Sequence, residues 1–184
     1  VAALAAREAG QEVLVIEADA LPRGSTALSA GLIPAPGTAM QRAAGIEDSA
    51  TLFAQDIQAK AKGQNDPDLV ETLAAGAGPV IDWLAERHGL PFSVVTDFDY
   101  PGHSRRRMHG LPSRSGEELI DALRQACEAE GIDIVCFRRA HILHMEDGRV
   151  RGVTVFGPDG SSETIACDRL ILACNRFGGN RQLV

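Results

Sequence analysis

The sequence predicts an α/β protein, a doubly wound sheet with an antiparallel β-meander and a helical insert, and three observations carry that expectation. A helix–glycine–strand pattern occurs at residues 1–16 and again at 116–137. Strand-like runs joined by tight-turn signals fill residues 140–167. A continuous apolar run, RLILAC at 169–174, has the pattern of a strand buried on both faces. One domain is the expectation for 184 residues.

In chain order, an Ala-rich amphipathic run from Val1 to Ala9 stops at Gly10, a residue suited to the left-handed position past a helix end. Val13 to Ile16 then form a short apolar strand closed by an acid, Glu17. The opening reads as the second half of a nucleotide-binding βαβ unit. Its first strand and glycine-rich phosphate loop are missing and expected upstream, so the chain reads as an internal piece of a larger protein. Arg23 to Thr38 is a stretch of small and hydroxyl residues without periodicity, a loop whose backbone can lie close to something flat. Ser49 caps a helix through Leu52, Phe53, Asp56, Ile57 and Lys60, and Asp66-Pro67 starts another. The second helix is expected to place Leu69, Val70, Leu73, Ala77, Val80, Ile81 and Leu84 on one face. Gly76, Gly78 and Pro79 predict a kink or close packing within it, and Gly89 ends it. These helices form the predicted insert, residues 47–90.

From Gly116 to Glu130 a third helix turns Leu119, Ile120, Leu123 and Cys127 inward, and Gly131 stops it before the strand IDIVCF. The meander follows as Ala140 to Met145, Arg149 to Phe156 and Glu163 to Cys167, turning at Asp147-Gly148 and Pro158-Asp159-Gly160. The run from Arg169 to Cys174 enters the glycine-rich loop NRFGGN.

A net charge of −7 argues against a nucleic-acid surface, since the only cationic cluster is Arg105 to Arg107. No apolar run approaches a membrane span, and the start lacks the basic flank and cleavage site of a signal peptide, so the expected location is cytoplasmic. Cys127, Cys136, Cys167 and Cys174 lack metal-ligand spacing and read as buried free thiols of a reducing compartment. His88 sits at a helix end, where a positive charge suits the macrodipole. His141 and His144 lie at odd spacing on one strand and are expected on opposite faces, against a shared metal site; no metal is expected.

Four segments, AALAAREAGQEVLVIEAD, GSTALSAGLIPAPGT, GHSRRRMHG followed by SGEEL, and DGRVRGV with LILACNRFGGN, occur in an order and spacing that resembles the fumarate reductase and succinate dehydrogenase flavoprotein family. That family includes aspartate oxidases and 3-ketosteroid dehydrogenases. The resemblance implies a Rossmann-like FAD-binding domain, with a capping domain expected after residue 184. Glu17 matches the acid that binds the adenosine ribose. Gly24, Ser25, Thr26, Ser29, Ala30 and Gly31 match the loop along the pyrophosphate and isoalloxazine, where short side chains permit approach and N–H groups and hydroxyls supply donors. Ser25 matches the position of the histidine that bonds covalently to flavin in succinate dehydrogenases, so non-covalent FAD is implied. Ala140 matches a residue whose backbone pairs with the adenine edge, and Ala173 and Cys174 match the small residues beside the adenosine half. Arg176 departs from a common glycine, which puts the approach of that loop's backbone in doubt.

The string GHSRRRMH looks like an aspartate-oxidase segment. His103, Ser104, Arg107 and His109 either bind a dicarboxylate, since guanidinium matches carboxylate geometry and histidine switches charge near neutrality, or form a solvated loop satisfying local backbone groups. His103, Arg107 and His109 are the catalytic candidates. The implied function is an FAD-dependent oxidoreductase acting on a CH–CH bond adjacent to a carboxylate or carbonyl, with a dicarboxylate or ketosteroid as substrate. The alternatives are an amine or amino-acid oxidase and a non-catalytic dinucleotide-binding module.

Overall fold

A computed structural model describes residues 1–174. The elements in order are α1 (Ala2–Glu8), β1 (Leu14–Ile16), a 3₁₀ turn (Thr26–Leu28), β2 (Ile33–Pro34), α2 (Ala39–Ala43), α3 (Ala50–Lys60), α4 (Pro67–His88), β3 (Ser93–Val94), β4 (Met108–Gly110), α5 (Gly116–Ala129), β5 (Asp133–Val135), β6 (Arg139–Glu146), β7 (Arg149–Phe156) and β8 (Ser162–Ala166). The chain divides into one unit of Val1–Ser25 with Cys127–Val184 and another of Thr26–Ala126.

In the first unit, β1 and β5 pair in parallel with Val15 opposite Ile134. Each strand follows a helix that ends on a left-handed glycine, Gly10 (φ +76°) and Gly131 (φ +66°), which reverses the chain at no Cβ cost. The pairing continues past β1, because the Glu17 N–H donates to the Val135 carbonyl at 3.0 Å and the Arg138 N–H to the Glu17 carbonyl at 2.9 Å. Strands β6, β7 and β8 form the antiparallel meander in that order. Asp147 and Gly148 both have positive φ (49° and 72°), the geometry that matches a two-residue turn to strand twist. Val153 and Val155 of the central β7 are 2% and 0% exposed, whereas every residue of β6 is exposed.

Three expectations fail here. Residues 169–174 form no strand and are largely exposed, with Ile171 at 69% and Leu172 at 65%. An apolar run becomes a strand only where a neighbour offers free backbone groups, and among the described residues none pairs with it. His141 and His144 share a face, because a register shift between Ala140 and Ile142 inserts an extra residue and restores the parity that odd spacing would break. The His141 ring packs edge-on against Phe156, while His144 Nε2 lies 2.6 Å from Thr154 Oγ1, and Phe156 and Thr154 are same-side neighbours on β7. Among the described residues no group of three or more His, Cys, Asp and Glu side chains suits a metal ion. All four cysteines are free, but only Cys127 is buried and Cys174 is exposed.

In the second unit, α3 and α4 pack together. Ser49 Oγ accepts the Leu52 N–H, and Asp66 Oδ1 accepts those of Asp68 and Leu69, so both caps form as expected. Helix α4 buries Val70, Ala74, Gly78, Ile81 and Leu84, a narrower stripe than the expected face; Leu69 and Leu73 are 68% and 55% exposed and Val80 is 39% exposed. Gly78 fixes that choice. A Cβ there would stand 2.2 Å from the Pro36 carbonyl oxygen, so the face that meets the Pro36 backbone is the one carrying glycine. Strand β2 lies in the stretch read as a loop, and α2, β3 and β4 lie in segments to which the sequence assigned no element. Two-residue strands carry too little periodicity to register in a sequence pattern. Among the described residues no helix is long and apolar enough to cross a membrane.

Candidate functional site

In the first unit, Glu17 is half-buried at the end of β1, and its Oε1 accepts the Asp19 N–H at 2.9 Å, leaving Oε2 without a bond among the described residues. The Phe137 N–H donates to the Asp19 carbonyl at 3.1 Å, which ties the segment after Glu17 to the chain entering β6. Ala140 lies beside the bulge on an edge strand, so β6 has a row of backbone groups that face no strand in its sheet. Gly24 has φ +51° and nothing within 4 Å of where a Cβ would stand. Gly24 and Ser25 are exposed. Ala173 and Cys174 are exposed and in no regular element, and Arg176 lies outside the described residues.

In the second unit, Thr26 to Leu28 form the 3₁₀ turn and the loop runs on through Ser29 and Ala30 to Gly31. The Ser29 hydroxyl donates to the Thr26 carbonyl at 2.7 Å and accepts the Gly31 N–H at 3.1 Å. Its single proton is therefore spent inside the loop, and Ser29 shapes the turn rather than donating to a ligand. The Gly116 N–H donates to the Ser29 carbonyl at 2.8 Å, so the loop sits on the first turn of α5. The sequence marked Gly116, the second residue of SGEEL, only as a helix start.

The residues weighed for dicarboxylate binding prove to be mostly internal. Arg107 is fully buried, with Nε and Nη2 on the two oxygens of Asp48 at 2.8 and 2.9 Å, Nη1 on Asp56 and its guanidinium carbon 4.8 Å from the Phe53 ring centre. Burial disfavours its charge, but the hydrogen bonds and charges of Asp48 and Asp56 outweigh this and raise its pKa. His109 is also fully buried. Its Nδ1 lies 2.9 Å from the Arg107 carbonyl, which only accepts, so Nδ1 carries the proton and Nε2 accepts from the Thr38 hydroxyl at 2.8 Å. Burial lowers the His109 pKa, in keeping with that neutral tautomer. Thr38 closes a reciprocal cap with Gln41, whose Nε2 donates to Asp48 Oδ2 at 3.0 Å and to the Arg106 carbonyl at 2.8 Å. Thr38, Gln41 and Asp48 were missed, though the Thr-x-x-Gln spacing is a legible cap signal.

The other two candidates, His103 and Ser104, lie nearer the surface, His103 half-buried and Ser104 exposed. His103 and Ser104 line a cleft of about 510 Å³ together with Asp99, Tyr100, Arg105 and Arg106. The His103 Nδ1 is buried with no hydrogen-bond partner; its burial, with Arg107 nearby, lowers the ring's pKa. Arg106 is engaged by Asp99 at 2.7 Å, and Ser104 donates both its N–H and its hydroxyl to Asp56 Oδ2.

A family model described as FAD binding domain matches residues 1–184. The chain is 32% identical to a probable fumarate reductase of Shewanella frigidimarina, over 100% of this chain and 31% of that protein. It is 29% identical to a urocanate reductase of Eggerthella lenta, over 99% of this chain and 30% of that protein. The structure of the open conformation of a flavocytochrome c3 fumarate reductase superposes with a TM-score of 0.80 at 32% identity, covering 90% of this chain and 29% of that one. A 3-ketosteroid-Δ4-(5α)-dehydrogenase of Rhodococcus jostii superposes with a TM-score of 0.75 at 23% identity, over 91% of this chain and 41% of that one, a likeness of fold. The chain spans about a third of the length of these curated relatives.

Proposed function

The chain belongs to the FAD binding domain family, and from that premise we propose that it is the FAD-binding part of an oxidoreductase acting on a CH–CH bond next to a carboxylate. The observation that carries the proposal is that relatives named for two different substrates match over essentially the whole chain. Fumarate and urocanate are both α,β-unsaturated carboxylates, so the chemistry common to them is hydride addition to an activated double bond. FAD, when bound, supplies the hydride donor and acceptor.

The chain's own residues fit that group in chemical kind. Glu17 Oε2 is an acceptor for a ribose hydroxyl, the diol contact expected of an acid at the end of this strand. The exposed, bulged edge at Ala140 offers backbone groups to a planar heterocycle, and the open left-handed Gly24 permits a close backbone approach. The loop Thr26–Gly31 presents short side chains on a backbone whose shape Ser29 holds from within. A serine hydroxyl at position 25 does not make the carbon–nitrogen bond a histidine would make there, so the FAD is dissociable. Arg107 and His109 have no part in substrate binding in this reading, since every polar atom of both side chains has an internal partner. Ala173 and Cys174 remain proposed neighbours of the adenosine half.

The test is anaerobic reoxidation of the reduced full-length holoprotein by fumarate, urocanate and a 3-ketosteroid. Turnover with an unsaturated carboxylate supports the proposal, and reoxidation by the ketosteroid alone or by none of the three overturns it.

A further inference from the structure

Between the loop Thr26–Gly31 and the start of α5 the two backbones meet with no side chain between them. A Cβ on Gly116 would stand 1.7 Å from the Thr26 carbonyl oxygen and 2.8 Å from Ser29 Oγ, and one on Gly31 would stand 2.6 Å from the Ser115 carbonyl oxygen. Real Cβ atoms do not approach this closely, so both residues must be glycine for the contact to exist. Gly31 also has φ +61°, a backbone conformation that L side chains rarely adopt. Hydrogen bonds bind the contact: the Gly116 N–H reaches the Ser29 carbonyl, while the Ser29 N–H and hydroxyl both end on the Thr26 carbonyl. The other side of the loop is open, with Leu28 at 91% exposure and Ser29 and Ala30 exposed.

A loop zipped to a helix start along one side and bare along the other has its bare side set by the zipped one. We infer that Gly116, with Gly31 and Ser29, is a positioning residue for FAD, holding the Thr26–Gly31 backbone in the shape the cofactor binds. Gly116 acts through the loop, whose backbone it meets directly. The inference rests on the FAD reading above, and it adds a residue that the sequence reading did not assign to the site.

The experiment measures the FAD dissociation constant and the visible flavin band in the full-length protein and its Gly116→Ala, Ser29→Ala and Gly78→Ala variants. Gly78→Ala is the control, because it creates a clash of the same kind in the same unit, a Cβ 2.2 Å from the Pro36 carbonyl oxygen instead of one against the loop. The expected result is that Gly116→Ala raises the dissociation constant by about tenfold or more and shifts the flavin band. Gly78→Ala should lose thermal stability yet bind FAD within about twofold of wild type. Ser29→Ala adds no bulk, and the proton it removes is one the loop already uses. It should weaken FAD by about threefold and speed amide exchange at Gly31 in the apoprotein, and it carries the test if Gly116→Ala does not fold. Equal weakening by Gly116→Ala and Gly78→Ala, or Gly116→Ala and Ser29→Ala variants that bind as wild type, overturns the positioning role alone. A wild-type protein that takes up no FAD overturns the cofactor reading and the positioning role with it.

Discussion

Arg107, just before β4, and His109 within it stand two positions apart, and both are fully closed off from solvent. Their partners lie far away in sequence, Asp56 and Asp48 at separations of 51 and 59 residues and Thr38 at 71. No local pattern separates such an arginine from a solvated one, which is why the string GHSRRRMH left substrate binding and a structural loop equally open. The commitment has a measurable cost when broken. Arg107→Met leaves the fully buried Asp48 carboxylate without its cation, and we expect a loss of about 3–5 kcal/mol in urea unfolding. The pH dependence follows from His109. Its pKa is lowered in the fold by burial, so the unfolded chain binds the proton more readily, and the stabilisation is complete above the unfolded value near 6.5 and declines as pH falls below it. Denaturation midpoints should therefore drop between pH 7.5 and 5.5. A His109→Gln variant, less stable throughout, should drop less, with His103 supplying a remaining part because its pKa is lowered by burial in the same direction.

At the scale of elements, α4 carries two glycines two residues apart, on different sides of the helix and in different environments. Gly76 opens on empty space, whereas Gly78 sits against the Pro36 carbonyl oxygen. Gly76→Ala should stabilise the protein by about 0.5–1 kcal/mol through backbone entropy alone, since no neighbour is met. Gly78→Ala should cost about 1–3 kcal/mol, since the neighbouring backbone must move. Thermal or urea melts of the two variants check both signs. The sequence held both residues as signs of a kink or close packing, and only the position of Pro36 separates them. Caps and turns were legible because their chemistry is local: Ser49, Asp66, Gly89 and Asp147-Gly148 each work through atoms within a few residues. The shared face of His141 and His144 was not legible, because a bulge is decided by the register of the partner strand.

For the whole molecule, the family assignment carries FAD, and the proposal that the FAD is dissociable rests on Ser25. Acid or heat denaturation of the full-length holoprotein followed by filtration should leave the flavin in the filtrate; flavin retained with the polypeptide would sink the dissociable-cofactor reading. The sequence by itself determined the helix ends, the meander and the acid closing β1, together with the flavoprotein resemblance, because each rests on short-range backbone chemistry or on motif order along the chain. Tertiary structure decided which side of α4 is buried, which charges in GHSRRRMH are internal, and that Gly116 underlies the loop ending at Gly31. Those outcomes depend on a carbonyl, a carboxylate or a glycine supplied from a distant part of the chain, and packing at ångström clearance is a property of two surfaces that neither segment encodes alone.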